Sequence, residues 1–144
     1  MKDATYLPES RLHALRGATT LPEDTAEAMD IEVSRLLEAM VSQNHIKPSD
    51  IVSVLFSLTP DLHSASPAKV ARRALPWQDV ALFSGLEPEI EGQPPKAVRV
   101  MIHFYSTKTQ AQLKHVYLNE ARHLRPDRVV NPYGYAGSSL GLMP

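Results

Sequence analysis

The chain has no cysteine among its 144 residues. Disulfides, thiolate metal sites and thiol nucleophiles are therefore excluded. Charge of one sign is also lacking: fifteen Lys and Arg stand against sixteen Asp and Glu, for a net charge of −1. Such a balance carries no footprint for nucleic acid or an anionic membrane surface, although arginines can still cluster locally. No apolar run approaches the ~18 residues that cross a bilayer. The first residues, Met1 to Pro8, lack the apolar stretch of a signal peptide. Phosphate-cradling loops, dinucleotide fingerprints, His-Glu-x-x-His and Gly-x-Ser-x-Gly are all missing. Histidines at 13, 45, 63, 103, 115 and 123 are scattered rather than set at ligand spacing, so no metal is expected. Together these absences lead us to expect a cytoplasmic protein with neither nucleic-acid nor membrane partners.

What remains is ordinary for a globular chain, with 43% hydrophobic and 22% charged residues. A chain of this length fits one domain and hides roughly two-thirds of its unfolded surface, enough for a real core. Residues 1–10, polar and interrupted by Pro8, read as an extension, and 11–127 as the domain. In 128–144, Asn131-Pro132-Tyr133-Gly134 and Gly137-Ser138-Ser139 read as a flexible tail.

Within the domain, Leu12 and Ala14 suggest a strand ending near Arg16. Asp24 with Glu27 three residues on resembles a capping box. Met29, Val33, Leu36, Leu37 and Met40 then make one face of an amphipathic helix ending near Asn44. Ile51 to Leu58 is apolar and β-branched, the pattern of a central strand covered on both faces. Ser66-Pro67 is an N-cap and first-turn pair opening a second helix through Leu75. Val80 to Phe83 forms a third strand candidate, Gly92 to Pro95 a turn, and Val98 to Tyr105 a fourth strand. In that strand Val98, Val100, Ile102 and Phe104 share one face, and Arg99 lies on the other. Leu113 to Leu124 fits either a helix or a strand. The order of elements argues for one domain mixing helices and strands.

The residues left to carry chemistry are arginines at element ends and on strands: Arg16, Arg72, Arg73, Arg99 and Arg125. Most such groups form surface ion pairs worth little. Arg99 stands apart, because a cation within an apolar strand must reach a partner, water or a ligand.

Larger blocks of sequence sharpen this. Arg16-Gly17-Ala18-Thr19-Thr20, Thr59-Pro60-Asp61-Leu62-His63, Pro67-Ala68-Lys69 with Arg72, Trp77, Glu87, Arg99-Val100-Met101, His115-Val116-Tyr117-Leu118 and Leu124-Arg125-Pro126-Asp127 follow one another in register. The set resembles the small, trimeric, monofunctional chorismate mutases of the Bacillus type. The resemblance implies an α+β fold: a mixed β-sheet with helices packed on one face, three copies forming a pseudo α/β barrel with active sites at subunit interfaces. It implies conversion of chorismate to prephenate by a Claisen rearrangement, in phenylalanine and tyrosine biosynthesis, with no cofactor. Arg99 then faces the ether oxygen, and Glu87 the ring hydroxyl and electron-poor ring. Arg16 and Tyr117 would hold a substrate carboxylate. Arg72 and Lys69 would come from the neighbouring subunit, and Arg125 would close the site. Three positions depart from relatives: Ser84 replaces a frequent cysteine but can still donate a hydrogen bond, Phe83 before it is bulky, and Ser66 stands where an aromatic residue can occur. The same charged set would also serve a non-catalytic module binding an aromatic-pathway metabolite.

Overall fold

A computed structural model describes residues 9–125; residues 1–8 of the proposed 1–10 extension and the segment from 126, including the tail, lie outside the described residues. Strands β1 (Arg11–Thr20), β2 (Ile51–Leu58), β3 (Ala81–Leu86), β4 (Ala97–Ser106) and β5 (Val116–Tyr117) form one sheet, and helices α1 (Ala26–Asn44) and α2 (Pro67–Ala74) accompany it. Strand order is β3-β2-β4-β1-β5. β4 pairs antiparallel with β1 and β2, whereas β5 runs parallel to β1 and β3 parallel to β2. The sheet is mixed and both helices share one of its faces, as the fold expectation has it.

Alternation in β4 builds the core. Val98, Val100, Ile102 and Phe104 are buried and meet Leu36, Leu37 and Met40 of α1 and Val70 of α2. Side chains of successive strand residues point to opposite faces, so Arg99, Met101, His103 and Tyr105 all lie on the helix-free face.

Several expected details change. β1 does not end near Arg16 but continues to Thr20, pairing Gly17 with Val100 and Thr20 with Ala97. Gly17 serves close packing: a Cβ there would sit 2.4 Å from the Met40 sulfur. The cap of α1 is Thr25, whose hydroxyl accepts from the Ala28 amide, not Asp24. Asp24 instead accepts from the amides of His63 and Ser64. β2 is covered on one face only in the single chain, leaving Val52 and Leu55 exposed. The third strand lies further on, at Ala81–Leu86, and Leu113 to Leu124 resolves into the two-residue β5 and a 3-10 turn over Asn119–His123. The Ser66 cap, with Pro67 opening α2, and the end of α1 at Asn44 stand as expected.

Candidate active site

β1 and β4 run side by side with Ala18 opposite Arg99 and Arg16 opposite Met101. That register sets Arg16 and Arg99 on the open face, close to one another. Across β4, Ser57 of β2 lies opposite Arg99 and Leu55 opposite Met101. β5 adds Tyr117 beside Ala18, and the 3-10 turn that follows carries the chain to Leu124 and Arg125. These residues line a cleft of about 370 Å³.

Arg99 is the best-anchored cation there. Its Nη2 donates to Gln93 Oε1 at 2.9 Å, and its Nε lies 3.7 Å from Glu87 Oε2. The other carboxylate oxygen of Glu87 accepts from the Ser57 hydroxyl at 2.5 Å. Ser57 and Gln93 thus hold the Arg99–Glu87 pair from two directions. The Arg99 side chain keeps 42% of its exposure, so the ion pair itself adds little stability and the cation remains open to a ligand. Arg16 is fixed through its backbone, whose amide donates to His115 Nδ1 at 2.9 Å.

Three arginines, Arg16, Arg99 and Arg125, therefore line a cleft whose walls include Leu55, Met101 and Leu124, and one of them, Arg99, is paired with the Glu87 carboxylate. Such a site suits a small, anionic, partly apolar molecule. In apolar surroundings each charge acts more strongly than in water.

The structure thus gathers Arg16, Arg99, Tyr117 and Arg125 with Glu87 from the expected set. It does not bring the others to this cleft. Lys69 and Ser84 line a separate groove of about 600 Å³ between β3 and the start of α2. Ser84 pairs with the buried Phe56, on the helix side of the sheet. Arg72 is exposed on α2, and Phe83 is 69% exposed on the open face of edge strand β3. Ser57 and Gln93 were not singled out from sequence. Alternation along β2, with Val54 and Phe56 on the core face, could have flagged Ser57, but no local signal marks Gln93.

Residues 12–128 match the type I chorismate mutase family. The chain belongs to that family. It is 40% identical over 116 residues to chorismate mutase AroH of Bacillus subtilis, a match spanning 81% of this chain and 91% of that one. With chorismate mutase AroH of Thermus thermophilus it shares 38% over 117 residues, 81% of this chain and 95% of the relative. A solved chorismate mutase from Clostridium thermocellum superimposes with a TM-score of 0.73 at 39% identity, covering 76% of this chain and 97% of that structure. Type I chorismate mutase membership therefore extends over nearly all the described residues. Among those residues no helix is long and apolar enough to cross a membrane.

Proposed function

We propose that this chorismate mutase carries out its rearrangement in the Arg16–Arg99–Tyr117–Arg125 cleft, with Arg99 and Glu87 as the groups acting on the reacting bonds. In the conversion of chorismate to prephenate, a C–O bond breaks as a C–C bond forms within one molecule. No electron or proton has to be supplied from outside. What a protein can add is a compact substrate conformer and stabilisation of the charge that separates on the way.

Arg99 takes the second task. As the ether C–O bond lengthens, negative charge grows on the oxygen, and a guanidinium already held by Gln93 and Glu87 meets it without reorganising. Glu87 carries the opposite charge toward the electron-poor ring and accepts from the ring hydroxyl. Arg16 and Tyr117 hold a substrate carboxylate, with the planar guanidinium suited to two parallel hydrogen bonds. Arg125, at the end of the 3-10 turn, closes the cleft over the substrate.

Lys69, Arg72, Ser84 and Phe83 complete the site as substrate-binding groups in a homotrimer, with Lys69 and Arg72 supplied by a neighbouring copy. Two features support this assembly. Those four side chains lie away from the cleft of their own chain, and the open sheet face exposes Leu12, Val52, Leu55, Phe83 and Tyr105. An apolar face of that kind favours burial against another protein surface.

The observation that carries the assignment of roles is the anchoring of Arg99 on the open face beside Glu87. Its test is the rate of prephenate formation from chorismate by the purified protein and by Arg99→Gln. Turnover should fall by about 3 kcal/mol, roughly a hundredfold or more, while KM changes far less. Near-normal turnover in the variant would remove Arg99 from its role. Binding of chorismate without prephenate would point to a metabolite-binding module instead.

A further inference from the structure

The Thr59-Pro60-Asp61 segment takes no part in the cleft, yet it closes a ring of hydrogen bonds next to it. The Ala97 amide donates to the Thr59 hydroxyl at 2.9 Å, and that hydroxyl donates onward to Asp61 Oδ1 at 2.6 Å. The second oxygen of Asp61 accepts from the Lys96 amide at 2.9 Å. The Thr59 amide donates back to the Ala97 carbonyl at 3.0 Å. Lys96 itself has φ 51°, in the left-handed region that a side chain with a Cβ rarely adopts. Its carbonyl is held as well, accepting from Leu21 at 2.8 Å just after β1.

These bonds fix the point where the β3–β4 loop becomes β4. Arg99 lies three residues beyond Lys96, and Gln93, its hydrogen-bond partner, three residues before. The regular β2–β4 ladder ends at Leu58 opposite Val98, one pair past Ser57 opposite Arg99. Beyond that pair, Thr59 and Asp61 are what tie the β2 end to the β4 start.

We propose that Asp61 is a positioning residue for Arg99, acting through Thr59 and Lys96; this rests on the role given to Arg99 above. Both carboxylate oxygens are used as acceptors, which only the ionised acid provides in full. Consistently, although burial raises the Asp61 pKa, hydrogen bonds from Thr59 and Lys96 outweigh it and hold the carboxyl below its ordinary value. Releasing Lys96 from its left-handed conformation would let Gln93 and the first residues of β4 shift together. A displacement on the order of 1 Å at a charge that must meet the transition state is enough to cost roughly a hundredfold in rate.

The test compares Asp61→Asn, Thr59→Val and Thr59→Ser with the unaltered protein in the chorismate assay, with thermal melts to establish that each is folded at the assay temperature. Asparagine keeps one oxygen for the Lys96 amide but turns an N–H toward the Thr59 hydroxyl, which can then no longer donate to residue 61, and the charge-assisted character of both bonds is lost. Valine keeps the shape of Thr59 without its hydroxyl, probing the ring from its other end should Asp61→Asn fold poorly. Asp61→Asn and Thr59→Val should lower kcat roughly 10- to 100-fold with KM changed less than about twofold. Thr59→Ser, which keeps the hydroxyl, should restore turnover to near the unaltered value. Folded Asp61→Asn or Thr59→Val turning over normally would overturn the proposal, as would Thr59→Ser as impaired as Thr59→Val. Unaltered protein that makes no prephenate would sink the Arg99 assignment and this proposal together, whereas normal turnover throughout sinks this proposal alone.

Discussion

The two faces of the sheet are made by the same strands, and they do opposite work. In β4 the residues turned toward the helices, Val98, Val100, Ile102 and Phe104, are at most 3% exposed. Their immediate neighbours on the other face, Arg99, Met101, His103 and Tyr105, all keep contact with solvent, and Tyr105 is 46% exposed. The helix face supplies stability through apolar burial. The open face supplies charge, hydrogen-bonding groups and an apolar surface that one chain leaves uncovered. Because the strand period is two, each face can change without repacking the other. Substitutions should therefore separate cleanly into those that unfold the protein and those that silence it.

The largest effect expected is on the helix face. Phe104 is 1% exposed and meets His13 edge to face, with ring centroids 6.5 Å apart. Phe104→Ala should cost about 3–5 kcal/mol of unfolding free energy, measured by denaturant titration. Turnover per folded molecule should stay close to that of the unaltered protein, since Phe104 lies at the far end of β4 from Arg99. A loss below about 1 kcal/mol would show that this face is not the source of stability it is taken to be.

A smaller effect on the fold, with a large one on assembly, is expected across the sheet. Leu12 is 51% exposed on the open face and pairs with Tyr105. Leu12→Asp should leave the stability of the single chain within about 0.5 kcal/mol, as for most surface changes. It should nonetheless shift the mass measured by light scattering from that of the proposed trimer toward that of a monomer, and activity should fall with it. A variant that remains trimeric and active would place the contact between copies elsewhere.

How much of this was legible in the sequence follows the same division. The β4 alternation, the apolar face of α1 and the Ser66-Pro67 start of α2 are local patterns with local causes, and each appears in the structure. Arg99 could be placed on the open face from alternation alone. What was not legible depended on distant partners. The first strand looked as if it ended near Arg16, but it runs on through Gly17, where Met40 of α1 occupies the space a Cβ would need. Asp24 looked like the cap of α1, but the chain places Thr25 there and uses Asp24 to tie the start of α2 to the start of α1. The resemblance groups Ser84 with Glu87, yet strand pairing sets Ser84 on the helix side while Glu87 reaches Arg99 and Ser57. The Thr59–Asp61 ring joins the end of β2 to the start of β4, and Gln93 reaches Arg99 from the loop before β4, where no local pattern points.

The smallest effect concerns acid, and it tests whether the joints around the helix face are held by charge. Burial raises the Asp24 pKa, but hydrogen bonds from Ser64 and His63, with the His63 ring close by, bring the net value below the ordinary one. Asp61 is lowered in the same way. A carboxyl depressed in the folded state makes the unfolded chain the better proton acceptor. Its contribution is therefore complete at neutral pH, begins to fade as pH falls toward about 4, and is gone once the folded group is itself protonated. Asp24→Asn keeps an oxygen for the His63 and Ser64 amides but not the charge, so at pH 7 it should be modestly less stable than the unaltered protein. Between pH 7 and pH 3 its melting temperature should fall less than that of the unaltered protein. Parallel acid limbs for the two proteins would show that the amide contacts alone, and not the charge of Asp24, join the start of α2 to the start of α1.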